Sequence, residues 1–284
     1  MKNRRLHIGL LLFVLIGVLP FVSAFVYAVL YSVGLAGVVN DGFTLRFWAA
    51  VWNSGEFLRS FGYSAGIAGI SVVVSVSAAM WLTLQFKREL QHRWLSFVIY
   101  LPLAIPGVVA AFFMVQLFAK SGLFSRFAYH LGWIAEAREF PDLINDPYAL
   151  GIMLAFITIV TPFFVLLFLN VYQNERVAEL TELAESLGAN KKQVLWRVTL
   201  PILLRKTWTL IGLYFIFLLG SYEVPLILGQ ESPQMLSVLI IREIKQYDLS
   251  KISEGYVVAV IYTIFVSLAA VLLFYRKKST TDAG

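Results

Sequence analysis

The chain has 284 residues, of which 59% are hydrophobic and 14% are charged, with 23 Lys and Arg against 17 Asp and Glu. Its mean hydropathy is +0.77. Soluble domains carry about 25% charged residues, so this composition excludes a soluble globular protein and predicts an integral membrane protein. The chain has no Cys, which excludes disulfides, iron–sulfur clusters and thiolate zinc sites.

Six apolar stretches are long enough to cross the hydrocarbon layer, because a spanning helix needs about 20 residues. They are residues 7–33, 61–86, 94–118, 149–172, 207–229 and 255–275. The predicted fold class is therefore all-α, with one polytopic membrane domain over residues 1–284 and both termini on the same side. The first stretch follows a basic start that resembles a signal peptide. Its length of about 27 residues, without a clear cleavage site, predicts a retained anchor instead.

The basic residues divide unevenly between the two faces that these spans define. Fifteen lie at the termini, in the loop 87–93 and in the segment 173–206, and eight lie on the other face. Because cytoplasmic loops collect Lys and Arg, the first face, including both termini, is predicted to be cytoplasmic. The positive charge thus reports orientation, and no nucleic-acid partner is needed to explain it.

Two connections on the outer face predict amphipathic helices. In residues 119–148, apolar residues at helical spacing stand beside Arg126 and His130, which is typical of a helix lying in the membrane interface. In the other connection, residues 232–234 form a helix-start signal and apolar residues follow on one face of 236–244. This second helix is either an outer gate or a cover for the bundle, and the sequence leaves both open.

The cytoplasmic segment 173–206 is unusually long for a connection between spans. Residues 182–201 read ELAESLGANKKQVLWRVTLP. Gly188 suits the left-handed position that ends one helix, and Asn190 with Gln193 forms a capping-box pattern that begins another. The pattern predicts two short helices at an angle, suited to docking in a groove of another protein. The apolar face of the second helix is made of Val194, Leu195 and Val198.

This segment resembles the cytoplasmic signature of the membrane subunits of binding-protein-dependent ABC importers. That signature is Glu-Ala-Ala, three residues, Gly, nine residues, Ile, one residue and Leu-Pro. Leu183 replaces the first Ala and Val198 replaces the Ile, and both replacements are apolar. By this resemblance, the residues that couple to the ATPase are Glu182, Ala184, Gly188, Val198, Leu200 and Pro201.

The resemblance extends from the second span to the last and implies a type I (MetI-like) fold. Within the family, the chain looks most like the permeases of the spermidine/putrescine, ferric-ion, thiamine and aminophosphonate group. The motifs that support this are LPLAIP at 101–106, TPF at 161–163 and GSYEVPLILG at 220–229. Proline-broken spans are tolerated where other helices or a water-lined cavity satisfy the freed carbonyls, so these breaks are candidates for a transport pathway.

The resemblance implies a permease subunit of an ATP-driven importer, which is not itself an enzyme. The chain has no GxxxxGK[ST] loop, so ATP and Mg are expected on two ATPase partner subunits, and no cofactor is expected here. Six helices are few to enclose a polar pathway, so a second permease subunit, giving a heterodimer, is also expected. An extracellular solute-binding protein completes the assembly. Its expected location is the bacterial inner (plasma) membrane, in contact with lipid.

Glu223 is an acidic residue inside a predicted span, where an ionised side chain is costly. Together with Tyr222 and Pro225, it forms the expected substrate pathway. A carboxylate there favours a cationic solute, and a polyamine is the first expectation. The alternative is that Glu223 lies near the outer interface, is hydrogen-bonded or protonated, and only shapes the break before Pro225.

Two other functions are weighed against the importer. An ion-coupled secondary transporter would use Glu223 as its proton or sodium site, but the chain has no repeated half of the kind usual in such carriers. An intramembrane enzyme would need several polar residues within the spans. The sequence predicts neither a catalytic site nor a metal site, because His7, His92 and His130 lie at span ends on different faces.

Overall fold

The computed structural model describes residues 9–38, 40 and 42–281. Residues 7 and 8 of the first predicted span, and both ends of the predicted domain 1–284, lie outside them. Within the described residues the secondary structure is helical, without strands, which confirms the all-α prediction. Six helical segments are long and apolar enough to cross a membrane, which agrees in number with the six predicted spans. They are Gly9–Ser32, Glu56–Phe86, Gly107–His130, Leu150–Asn174, Lys191–Leu219 and Leu249–Tyr275. The third segment is interrupted by a turn at residues 119–122.

The helices are numbered in chain order. They are α1 (Gly9–Ser32), α2 (Arg46–Ser54), α3 (Glu56–Phe86), α4 (Arg93–Tyr100), α5 (Gly107–Phe118), α6 (Leu123–His130), α7 (Leu150–Asn174), α8 (Val177–Ser186), α9 (Lys191–Leu219), α10 (Glu223–Leu228), α11 (Leu236–Ile244) and α12 (Leu249–Thr281). Packing divides the chain into two compact units. The first contains residues up to Phe61 together with Leu236–Ala269, and the second contains Gly62–Met235 together with residues from Ala270 onward.

The first unit has an apolar core between α2, α11 and the parts of α3 and α12 that belong to it. Its buried members are Phe47, Val51, Phe57, Leu236, Leu239, Val257 and Val258. This arrangement confirms the predicted apolar face of residues 236–244. The short helix α2 was not predicted, because nine residues are too few for a span and its polar neighbours hide the helical period.

An ion cluster joins α11 to the start of α3 within the first unit. Arg242 donates hydrogen bonds to the carboxylates of Glu56 and of Glu243, the latter at 2.7 Å. Glu243 is only 6% exposed, so loss of this partner would leave a buried carboxylate unpaired. Burial alone would lower the pKa of Arg242, but the two carboxylates raise it above its usual value. The guanidinium therefore stays charged in this partly buried position.

Two of the predicted spans are divided differently in the second unit. The stretch 94–118 is interrupted between α4 and α5, where the 3-10 turn Pro102–Ala104 and Pro106 replace a continuous helix. Proline lacks a backbone N–H and disfavours helical geometry in the residue before it, which explains the interruption. The stretch 207–229 is also broken, since α9 ends at Leu219 and α10 begins at Glu223.

Candidate functional site

The first half of the predicted coupling segment is α8 and the turn that ends it. Gly188 has a left-handed φ of 90°, and its amide donates to the carbonyl of Glu185 at 2.9 Å. The amide of Ala189 donates to the carbonyl of Ala184 at 3.0 Å. These two bonds form a Schellman motif, which satisfies carbonyls that the helix end leaves free. The prediction that Gly188 closes this helix is confirmed.

The second half of the segment begins with the predicted capping box. The side chain of Asn190 accepts from the amide of Gln193, and the Gln193 side chain accepts from the amide of Asn190, both at 2.9 Å. The helix that follows is not short, since α9 runs without interruption from Lys191 to Leu219. A π-helical turn at Leu195–Thr199 widens it just before Pro201. Because a proline ring crowds the carbonyl of the preceding turn, this widening lets the helix continue through Pro201.

The exposed apolar face of the segment differs from the predicted one. Val194 is only 6% exposed and Val198 is half-buried, so the predicted face packs against the chain itself. The large apolar side chains that remain exposed are Leu180 and Leu183 on α8, Leu187 directly after it, and Trp196 on α9. Leu187 is 81% exposed. The spacing i, i+3, i+7 of the three leucines is a helical signal that sequence reasoning overlooked.

The six residues of the signature lie on α8, on its closing turn and on the start of α9. Glu182, Gly188 and Pro201 are exposed, whereas Ala184, Val198 and Leu200 are half-buried. The helix α8 packs against both α7 and the π turn of α9, so the signature forms one continuous elbow. We call α8, its closing turn and residues 190–201 the coupling elbow.

Two polar contacts hold the base of the coupling elbow. Lys206 on α9 pairs with Glu175, the residue after α7, at 2.9 Å between Nζ and Oε1. Lys87, just after α3, donates to the hydroxyl of Tyr172 at 3.0 Å. Only the first contact is an ion pair, and a largely exposed ion pair contributes at most about 1 kcal/mol. It therefore fixes geometry more than it adds stability.

The predicted pathway residues lie at the break between α9 and α10. Glu223 is the first residue of α10, and its Oε2 accepts the backbone amide of Val108 at 3.0 Å. Gly107 permits this approach, since a Cβ there would stand 3.2 Å from the same oxygen. Val108 belongs to the first turn of α5, which begins after the proline break of the third span. The contact thus joins the two broken spans that the sequence had singled out separately.

The carboxylate of Glu223 is hydrogen-bonded at the start of a helix, and its role in the transport pathway stays a prediction. Its carboxylate lies at the amino end of α5, where the helix dipole favours negative charge, and it is hydrogen-bonded. Pro225 is buried, and Tyr222, which precedes α10, is half-buried. Glu223 itself is exposed. Among the described residues, no group of three or more His, Asp or Glu is placed to hold a metal ion.

Comparison with known proteins adds a family and several relatives. Residues 71–276 match the family described as binding-protein-dependent transport system inner membrane component. A sulfate transport system permease protein, CysT, from Synechocystis sp. is 32% identical over 152 residues, which are 52% of this chain and 49% of that protein. A probable sulfate transport system permease protein from Chlorokybus atmophyticus is 28% identical over 185 residues, 64% of this chain and 59% of that protein.

A third relative and a solved structure extend the comparison. A probable ABC transporter permease protein, y4fN, from Sinorhizobium fredii is 27% identical over 209 residues, 72% of this chain and 34% of that protein. The chain thus spans about half the length of the relatives it matches. A bacterial ABC transporter involved in the import of the acidic polysaccharide alginate has a chain of similar fold, with a TM-score of 0.70 and 17% identity over 96% of this chain and 95% of that one.

Proposed function

We propose that this chain, which belongs to the family of binding-protein-dependent transport system inner membrane components, is the permease subunit of an ATP-driven importer. It is a multi-pass protein of the bacterial inner membrane and a non-catalytic component. The observation that carries the proposal is the coupling elbow, which carries exposed leucines beside the spanning helices α7 and α9. The partners we propose are two ATPase subunits, a second permease chain and an extracellular solute-binding protein.

The coupling elbow is the proposed contact with the ATPase. Leu183 and Leu187 offer an apolar face of the kind that docks into a groove on a partner, and Glu182 lies beside them on α8. Gly188 sets the angle at which α8 meets α9. Because α8 packs against α7 and α9, movement of the partner would reach two spans at once. ATP and Mg would be bound by the partner, with no cofactor on this chain.

The proposed pathway includes the junction of the two broken spans at Tyr222, Glu223 and Pro225. Its cargo is a small polar solute. The names of two relatives favour sulfate, whereas the carboxylate of Glu223 first favoured a polyamine. Since that carboxylate already accepts the amide of Val108, it is a weaker reason for a cationic cargo. We therefore rank sulfate before a polyamine.

Changing Gly188 tests the contact with the ATPase. Gly188→Val places a branched side chain at a φ of 90°, which costs about 1 to 2 kcal/mol and forces the turn to rearrange. Copurification of the ATPase subunit with the tagged variant should fall by about tenfold or more, while the amount inserted in the membrane stays the same. The matched control is Gly132→Val, because Gly132 is also left-handed and in open space but lies outside the coupling elbow.

Two results would contradict the proposal. One is equal loss of the ATPase in the Gly132→Val control, which would indicate general damage. The other is full retention of the ATPase by two variants, Gly188→Val and the double substitution Leu183→Asp with Leu187→Asp. That result would show that the coupling elbow is not the contact.

A further inference from the structure

A pocket separate from the coupling elbow and from Glu223 lies beside α6. Its volume is about 360 Å³, and its polar lining consists of Lys120, Ser121, Ser125, Arg126, Tyr129 and His130. All of these residues fall in the segment that the charge distribution assigns to the outer face. Neither the family signature nor the proposed pathway uses any of them. The pocket is therefore a candidate site for a ligand of its own.

The charged residues of the pocket favour an anion. Lys120 pairs with Asp142 at 3.2 Å, so one of its neighbours is acidic. Arg126 donates through Nε to the carbonyl of Ser121 at 3.2 Å, which uses one of the five N–H donors of its guanidinium. The polar lining itself contains no acidic side chain. A lysine, an arginine and two serine hydroxyls form a donor set suited to a phosphate or another oxyanion.

Ser125 supplies an independent observation. It is 1% exposed, and its Oγ has no hydrogen-bond partner within the part of the chain that the structure describes. A buried hydroxyl without a partner is unfavourable, and such groups are rare in native structures. An oxyanion in the pocket would accept a hydrogen bond from the hydroxyl of Ser125. The unpartnered serine and the two cations thus point to the same class of ligand.

The surroundings of the pocket favour a lipid as the source of that oxyanion. The helix α6 exposes Leu123 and Phe127, one turn apart on one face, and Trp133 follows it in an exposed position. Such a face, with an aromatic residue at its end, is typical of a helix lying at the membrane interface. A second pocket, of about 270 Å³ and almost wholly apolar, lies along α5, and its lining includes Leu117, three residues before Lys120.

We propose that the pocket beside α6 binds the phosphate of an anionic phospholipid, with an acyl chain in the apolar pocket along α5. Arg126 and Lys120 bind the phosphate charge, and the hydroxyl of Ser125 donates to a phosphate oxygen. The lipid anchors α6 at the interface. This site depends on the chain being a membrane protein and is independent of which solute the chain transports or what drives it.

Native mass spectrometry of the purified full-length chain tests the proposal. The probes are dioleoyl phosphatidylglycerol and dioleoyl phosphatidylcholine, which share acyl chains and differ in net charge. We expect the wild type to retain phosphatidylglycerol several-fold more strongly. Arg126→Gln should weaken that retention by about fivefold, as expected for one basic residue at a lipid surface. Ser125→Ala, which removes one atom and preserves the charge, should give a smaller loss.

The matched control is Arg138→Gln, because Arg138 is a basic residue of the same connection that does not line the pocket and pairs with Glu136. Its retention of phosphatidylglycerol should equal that of the wild type. Equal retention of the two lipids, or equal losses in Arg126→Gln and Arg138→Gln, would overturn the proposal. Thermal stabilisation by inorganic phosphate alone, equal to that by phosphatidylglycerol, would assign the pocket to a soluble oxyanion and overturn the lipid. If Arg126→Gln does not fold, Ser125→Ala decides between these outcomes.

Discussion

Glu223 contacts an amide that is 115 residues away in the sequence, at the start of another broken span. This contact gives its carboxylate two separable properties, a negative charge and a hydrogen-bond acceptor. Attraction of a solute requires the negative charge of Glu223, whereas the contact between α10 and α5 requires only an acceptor oxygen. Substitutions that remove one property at a time therefore distinguish the pathway role from the joining role.

We expect Glu223→Gln to lower solute uptake by less than about twofold, because the amide keeps an acceptor oxygen for Val108. Glu223→Leu removes the acceptor as well and should reduce uptake strongly. The measurement is uptake by membrane vesicles that contain the complete transporter, normalised to the amount of this chain. Glu231→Gln, at a nearby exposed acid, is the control. If Gln is as inactive as Leu, the charge itself acts on the solute.

The sequence predicted well those features that depend on hydrogen bonds and backbone conformation within a few residues. The left-handed Gly188 and the reciprocal bonds of Asn190 and Gln193 follow from local chemistry over a few residues. The bond between Glu223 and Val108 has no such signal, because nothing in a single sequence relates two positions so far apart. The sequence marked both breaks and had no means of pairing them.

Among the helices, α11 depends on charge as well as on its apolar face. Arg242→Gln would leave the buried carboxylate of Glu243 without its cation, and we expect a loss of about 2 kcal/mol in the stability of α11 against local opening. Hydrogen exchange of the α11 amides measures this quantity. Lys245→Gln, an exposed change at the residue that follows the helix, should alter it by less than about 0.5 kcal/mol.

A rescue experiment sharpens this prediction. Arg242→Gln combined with Glu243→Gln removes the unpaired buried charge, so exchange protection should partly return. Equal exchange in Arg242→Gln and in the Lys245→Gln control would mean that the ion cluster does not hold α11.

Element boundaries were harder to predict than element existence. Hydropathy identified all six spans, because twenty consecutive apolar residues have few alternatives in a chain of this length. It does not register a break such as Gly220–Tyr222, since the residues on both sides are equally apolar. The helical spacing of apolar residues also suggested that Val194 and Val198 were available to a partner. An apolar face of a helix can pack on its own chain as readily as on a partner, and these two residues do so.

The source of energy distinguishes the importer from its alternative at the scale of the whole molecule. Proteoliposomes containing the complete assembly should accumulate labelled sulfate only with ATP and the solute-binding protein. Those containing this chain alone, under a proton or sodium gradient, should accumulate none, because a carrier would need its own coupling site. Labelled putrescine is the matched probe for the opposite charge. Gradient-driven accumulation by the isolated chain would contradict the importer, and uptake of putrescine but not sulfate would reverse the ranking of solutes.

The unbroken course of α9 has a mechanical consequence. Its 29 residues extend about 44 Å from the capping box at Asn190 to the break after Leu219. A rotation of about 5° about one end of the helix displaces the other end by about 4 Å, which is more than a hydrogen bond can lengthen without breaking. The π turn before Pro201 lets the helix continue where proline would otherwise have interrupted it. A small rotation applied to α9 at its capping box would therefore become a much larger displacement at the break beside Glu223.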